Sequence, residues 1–81
     1  MSKTRNNTVI QIFGQNLKKI RTSKNISLRK LEVLSEVDFS EIHRIEKAQR
    51  NPTLTIIVAL SKGLGINPKE LFEVNWDQEI F

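Results

Sequence analysis

The stretch VDFSEIHRIEKAQR, residues 37–50, decides how this chain is expected to fold. Its pattern is that of one short helix with two faces. Ile42 and Ile45 stand three positions apart, so on a helix they share one side and are suited to a core. The opposite side is polar and largely basic, and it carries Ser40, His43, Arg44 and Lys47. Such a helix would bury its apolar face and leave its basic face available to a partner.

The start of this helix is marked by two independent signals. Asp38 and Glu41 have the spacing of a capping box, with aspartate in place of the usual serine or threonine. Val37 and Ile42 occupy the two positions of a hydrophobic staple, one just before the cap and one four residues into the helix. Both signals predict a helix over residues 38–48.

Helical spacing and local punctuation predict four further helices around this one. Apolar residues recur every three or four positions from Val9 to Ile20. Ser27 and Thr53 are suited to N-cap two helices, and Asn67-Pro68 opens the last with a capping residue followed by proline. In order, the predicted helices cover residues 8–23, 28–35, 38–48, 53–64 and 68–73, with a short tail at 74–81. No strand-like alternation competes, so the expected fold class is all-α, a compact five-helix bundle.

Length and composition limit what the chain can be. Its 81 residues are expected to form one domain, 1–81, and they include no cysteine and a single histidine. A disulfide or a thiolate zinc site is therefore excluded, and neither a metal nor a cofactor is expected. No apolar run approaches the roughly 18 residues of a membrane span, and no signal-peptide core follows the basic N-terminus. These features predict a soluble, cytoplasmic protein with no membrane partner.

The net charge of +4 is unevenly distributed. Basic residues from Lys3 to Lys30 all precede the first acidic residue, Glu32. After the last basic residue, Lys69, every charged residue is acidic. A basic region on a small domain favours a polyanionic partner. A solvated surface that merely keeps the protein soluble explains the charge equally well, so charge alone leaves both interpretations open.

The turn between the second and third helices indicates a helix-turn-helix. Residues 35–38 leave only three or four positions for it, which makes the helices cross at a large angle and projects the outer face of the third. The surrounding region carries the motifs RIE at 44–46, RNPTL at 50–54, LGIN at 64–67 and ELF at 70–72, together with Ser27, Leu31, Val37 and Ile42. From Asn25 to Phe72 the sequence therefore resembles the phage-repressor/Cro-type, or xenobiotic-response-element, family of helix-turn-helix DNA-binding proteins. The resemblance implies a lambda-repressor-like DNA-binding domain.

The resemblance also implies roles for individual residues. Positions expected to face base edges are Phe39, Ser40, His43 and Arg44. Positions expected to hold the phosphate backbone are Ser27, Arg29, Lys30, Lys47, Gln49 and Arg50. Arg21 of the first helix is expected to form a structural ion pair with Glu46 of the third.

Several of these residues have structural alternatives. Arg44 could form a solvated pair with Glu41, and Ser40 could satisfy the donors at the helix N-terminus. Phe39 stands three positions before Ile42, so its ring could fold back onto the core.

Three positions depart from the family pattern. Leu28 replaces the glutamine that usually contacts DNA, Glu32 replaces the alanine packed between the two helices, and Glu36 replaces the turn glycine. Because a buried unpaired carboxylate is costly, Glu32 is expected to lean outward or to find a partner. Arg29 or Lys30 is expected to take over the anchoring role that Leu28 has lost.

The function implied is that of a sequence-specific DNA-binding transcriptional regulator, such as a repressor. The expected ligand is double-stranded DNA with a palindromic operator, which a homodimer would bind with helix 38–48 in the major groove. The alternative is the antitoxin of a toxin–antitoxin pair, which would bind a toxin protein as well as DNA. No nucleophile with a partner base and no phosphate loop is recognisable, so an enzyme is not expected.

A dimer surface is expected away from the reading helix. The core of the fourth helix is expected to use Leu54, Ile57, Leu60 and Leu64. The apolar residues that remain are therefore expected to form the dimer interface, namely Ile56, Val58, Trp76, Ile80 and Phe81. The alternative is a tail that folds back over its own core.

Overall fold

The computed structural model describes residues 6–76, which contain four α-helices and one short 3₁₀ helix but no strand. The elements are α1 (Asn7–Ser23), α2 (Leu28–Ser35), α3 (Phe39–Glu46), α4 (Leu54–Leu64) and the 3₁₀ helix (Pro68–Phe72). The all-α class and the helix-turn-helix are therefore confirmed. Within this described range, no helix is long and apolar enough to cross a membrane.

The prediction of five α-helices was wrong at the last element. Pro68–Phe72 is a 3₁₀ helix, and its backbone bonds span three residues, as in Glu70 N–H to Asn67 O at 2.9 Å. Asn16 of α1 explains the short turn, because its side-chain amide donates to the carbonyls of Glu70 and Leu71 at 3.2 and 2.9 Å. Carbonyls held by a neighbouring helix are less available to continue an α-helix.

Each of these helices begins after a residue whose side-chain oxygen accepts a hydrogen bond from a backbone N–H of the first turn. Ser27 and Thr53 accept from the backbone N–H groups of Lys30 and Ile56. Asn6 caps α1 in the same way. Glu36 ends α2 with φ of 62°, a left-handed conformation that glycine adopts freely but that costs other residues about 1–2 kcal/mol. The absence of the usual turn glycine therefore leaves the turn intact, at the cost of local strain.

The core is built from one face of each helix. α2 packs on α4, α1 packs on α3, and the 3₁₀ helix contacts both α1 and α4. Ile42 and Ile45 of α3 are fully buried, as the two-faced pattern predicts. The buried cluster consists of Phe13, Leu17, Leu31, Val37, Ile42, Ile45, Leu60, Leu64 and Leu71. Because its apolar face is held in this cluster, α3 presents the opposite face outward.

The prediction for the core face of α4 was wrong at its first turn. Leu54 is 76% exposed, whereas Ile56 is half-buried and packs against the core. The direction in which a short helix faces its neighbours is set by packing, and α4 turns Ile56 rather than Leu54 toward the cluster.

Gly14 lets α1 approach α3 closely. A methyl group added at its Cα would overlap the carbonyl oxygen of Ile45 and stand 3.1 Å from that of Glu46. The absence of a side chain at Gly14 therefore decides how closely the end of α3 is held against α1.

Candidate nucleic-acid interface

The outward face of α3 carries the predicted base-reading residues. His43 and Arg44 are exposed, while Phe39 and Ser40 at the start of the helix are partly buried. Lys47 is exposed directly after the helix ends. The fold thus keeps these five residues on or beside one projecting helix whose apolar face is occupied.

Asp38 organises the start of α3. Its carboxylate accepts from the Ser40 backbone N–H and from the Ser40 hydroxyl, both at 2.9 Å. These hydrogen bonds are the main cause that lowers the pKa of Asp38 below its ordinary value, and the positive charges of Arg44 and Arg29 add to the effect. The Ser40 hydroxyl therefore already serves the helix N-terminus, although it retains lone pairs that could accept a further bond.

The capping box predicted between Asp38 and Glu41 is not closed. Glu41 instead forms an ion pair with Arg50, with 3.4 Å between Oε1 and Nε. The pair is partly exposed, so it contributes little to stability. It does hold Arg50 beside α3, and it rules out the alternative in which Glu41 pairs with Arg44.

Glu32 finds its partner at the start of α3. Its carboxylate accepts a hydrogen bond from the Phe39 backbone N–H at 3.2 Å. A negative charge is favourable there, because the first N–H groups of a helix are unpaired and the helix dipole is positive at that end. The replacement of alanine by glutamate therefore adds a cap that joins α2 to α3 and leaves no uncompensated carboxylate.

Phe39 does not enter the core cluster. The guanidinium carbon of Arg29 lies 3.9 Å from the centroid of its ring, in a cation–π contact across the turn. The predicted base reader Phe39 and the predicted phosphate ligand Arg29 are thus in direct contact with each other.

The remaining phosphate candidates are distributed around α2 and α3. Lys30, Gln49 and Arg50 are exposed. The Ser27 hydroxyl accepts from the Lys30 backbone N–H at 3.0 Å and so caps α2. Leu28 is half-buried against the core, which agrees with its inability to replace the usual glutamine in contacting DNA.

Arg21 and Glu46 form a buried, two-pronged pair between α1 and α3. Arg21 Nε donates to Glu46 Oε2 at 2.6 Å, and Nη2 donates to Oε1 at 3.0 Å. Nη1 donates to the carbonyl of Ile26 at 2.9 Å. The two side chains are only 9% and 3% exposed. The pair fixes the orientation of α3 relative to α1, and each buried charge is balanced by its partner and by hydrogen bonds.

The residues predicted to form a dimer interface do not share one environment. Val58 is 47% exposed on α4, next to the strongly exposed Leu54. Trp76 lies over Phe72, with 6.4 Å between ring centroids, and its indole N–H donates to the Phe72 carbonyl at 2.8 Å. Trp76 therefore packs on its own chain. Ile80 and Phe81 lie outside the described residues.

Comparison with known proteins identifies the relatives of this fold. A family model described as helix-turn-helix matches residues 17–71. The control protein C.BamHI of Bacillus amyloliquefaciens is 38% identical over 68 residues, which are 83% of this chain and 84% of that protein. The restriction-modification controller protein C.AhdI from Aeromonas hydrophila is 40% identical with a TM-score of 0.78, over 80% of this chain and 98% of that one. The clp gene regulator ClgR from Corynebacterium glutamicum, 19% identical with a TM-score of 0.74 over 79% of this chain and 83% of that one, shares the fold.

Proposed function

From the membership of this chain in the helix-turn-helix family of DNA-binding transcriptional regulators, we propose that it controls genes by placing α3 in the major groove of an operator. The observation that carries this proposal is the outward face of α3. It presents Arg44 and His43 on a helix whose other face is locked into the core. The N-terminal residues of such a helix reach base edges, and flanking basic residues bind phosphates.

The relatives suggest which genes are controlled. C.AhdI is a restriction-modification controller protein, and C.BamHI is a control protein. We infer that this chain likewise controls a restriction–modification system. The proposed role is one of binding rather than catalysis. These relatives favour a controller over the antitoxin alternative, which stays a prediction.

The proposed DNA-binding unit is a homodimer. One α3 helix reads only a few base pairs, whereas two helices related by a two-fold axis read two half-sites about 34 Å apart. The exposed apolar residues Leu54 and Val58 of α4 support an interface there. Trp76 is removed from the proposed interface, because it packs on Phe72 of its own chain.

Selection of bound sequences from a random DNA pool tests the function directly. We expect a palindromic consensus whose half-sites are separated by about one helical turn, 10–10.5 base pairs. Enrichment of no consensus would contradict sequence-specific regulation. A consensus without two-fold symmetry would contradict the homodimer but not the regulator.

Arg44→Ala should relax specificity at one base pair in each half-site. Arginine pairs bidentately with the O6 and N7 atoms of guanine, and each such contact contributes about 1–3 kcal/mol of discrimination. The measurement is binding to operators with single-base substitutions, with Lys69→Gln as a charge-removing control on the 3₁₀ helix. An unchanged consensus would exclude Arg44 as a base reader.

Lys47→Ala should weaken binding to all DNA sequences alike. If Lys47 neutralises a phosphate, the slope of log affinity against log salt concentration should become shallower by about 0.9 for each contact removed. Titrations between 50 and 200 mM salt would measure this slope. A slope that equals that of the unmutated protein would assign Lys47 to the solvated surface.

Val58→Asp should shift the protein toward monomer. A carboxylate placed on the proposed apolar interface of α4 must be desolvated for two copies to associate. Sedimentation velocity would measure the shift, with Val33→Asp, the same substitution at an exposed position of α2, as the matched control. A dimer that forms equally well in both variants would place the interface elsewhere.

A further inference from the structure

Two side chains of α2 hold the first residue of α3. Glu32 accepts from the backbone N–H of Phe39, while Arg29, one helical turn earlier, lies over the Phe39 ring at 3.9 Å. Arg29 and Glu32 stand three positions apart and therefore share one side of α2. At the start of the reading helix, Glu32 therefore contacts the backbone of Phe39 and Arg29 contacts its side chain.

The geometry of the stack leaves the hydrogen-bonding edge of Arg29 available. A guanidinium that lies over an aromatic ring uses its flat face for the cation–π contact, and its N–H donors point outward in the plane. Within residues 6–76, no carboxylate or carbonyl accepts a hydrogen bond from Arg29. The contact with the Phe39 ring therefore holds the guanidinium in place while its N–H donors stay available to a ligand.

The position of this guanidinium matters for DNA. Residues at the N-terminus of a reading helix contact base edges. Phe39 is the first residue of α3, so a group 3.9 Å from its ring lies beside that end of the helix. The charges of both Arg29 and Arg44 lower the pKa of the Asp38 carboxyl group, so both arginines lie near the start of the same helix.

We propose that Arg29 reads a guanine from α2 and that Phe39 is the platform that positions its guanidinium, rather than a base reader itself. The inference rests on the proposed function, because it requires α3 to enter the major groove. It differs from the roles expected from the family resemblance, in which Phe39 faces a base and Arg29 holds a phosphate.

Two physical arguments favour a base over a phosphate as the ligand of Arg29. A planar guanidinium matches the two acceptors of guanine, and less side-chain freedom is lost on binding because the contact with the Phe39 ring already favours one position of the group. A phosphate contact needs no such ordering, as flexible surface lysines show. The Phe39 ring, in turn, has one face covered by Arg29 and is a poorer contact for a thymine methyl group.

The experiment uses the full chain and the consensus operator from the random-pool selection. Affinities are measured by fluorescence anisotropy for that operator and for each single-base substitution of it. The proteins compared are the unmutated chain, Arg29→Lys, Phe39→Leu, Phe39→Tyr and the double variant Arg29→Lys/Phe39→Leu. Lys69→Gln is the control, and thermal melting verifies that each variant is folded.

Arg29→Lys and Phe39→Leu are expected to reduce discrimination at the same G·C pair by about tenfold or more. The double variant should lose no more discrimination than either single variant, because both changes break one unit. Phe39→Tyr keeps the ring and should retain the preference. A purely structural role for Phe39 would instead lower affinity for every operator without changing the preference.

Three results would overturn the inference. Arg29→Lys could lower the affinity for all operators equally, which would make Arg29 a phosphate ligand. Phe39→Leu could reduce the preference for an A·T pair while Arg29→Lys leaves that preference unchanged, which would make the ring a reader of thymine. If the unmutated protein selects no consensus, the proposed function fails first, and this failure is distinct from the other two. Because Arg29 is exposed, Arg29→Lys keeps the test decisive even if Phe39→Leu does not fold.

Discussion

Glu46→Gln is expected to lower the free energy of unfolding by about 3–5 kcal/mol, because it leaves the Arg21 guanidinium buried without a counter-charge. The side chains of this pair are 9% and 3% exposed, so water cannot replace the lost carboxylate. For a domain of this size, each kcal/mol lowers the melting temperature by about 4–8 °C. Thermal and urea unfolding would measure the change.

A matched series separates the pair from the surrounding packing. Arg21→Met should destabilise the fold similarly, because it leaves the Glu46 carboxylate unpaired. The double variant Arg21→Met/Glu46→Gln removes both charges and should be clearly more stable than the sum of the single changes implies. The exposed pair of Glu41 and Arg50 provides the control, and Arg50→Gln should change stability by less than about 1 kcal/mol. Single variants of Arg21 and Glu46 that melt like the unmutated protein would contradict this account.

Gly14→Ala is expected to destabilise the protein by about 2–3 kcal/mol, although alanine is the better helix former by about 1 kcal/mol. The added methyl group would overlap the backbone carbonyl of Ile45, and a backbone atom cannot turn aside as a flexible side chain can. α1 and α3 would have to separate, which would also strain the pair of Arg21 and Glu46. Urea unfolding would determine the sign of the change.

The neighbouring position supplies the control for Gly14. Gln15→Ala changes an exposed residue of the same helix and should alter stability by no more than about 0.5 kcal/mol. If Gly14→Ala were more stable than the unmutated protein, helix propensity would outweigh the close approach of α1 to α3, and the spacing of these helices would not depend on glycine.

Local signals in the sequence were sufficient for the approximate positions of the four α-helices. Caps such as Ser27 and Thr53 and the spacing of apolar residues act within a few positions, so they can be recognised without knowledge of the fold. The same is true of the two faces of α3. Its buried face follows from Ile42 and Ile45 alone, since residues three apart share one side of a helix.

Contacts between distant elements lay beyond these local signals. Asn16 shortens the last helix through the carbonyls of Glu70 and Leu71, which are far away along the chain. Glu41 was assigned to a capping box by its spacing, but Arg50 provides a competing charge. The pairing of Arg21 with Glu46 was expected only because of a family resemblance, and nothing in the spacing of the two residues would have suggested it.

The sequence by itself determined the all-α class, the start of α3 and the choice of its outward face, because capping and helical periodicity depend on neighbours within about one turn. Only the tertiary structure decided what the side chains at the start of α3 do. Glu32 became a cap and Arg29 came to lie over Phe39 because the short turn brings α2 against α3. Such contacts depend on the distance and angle between two helices, which packing of the whole core sets and which no local pattern encodes.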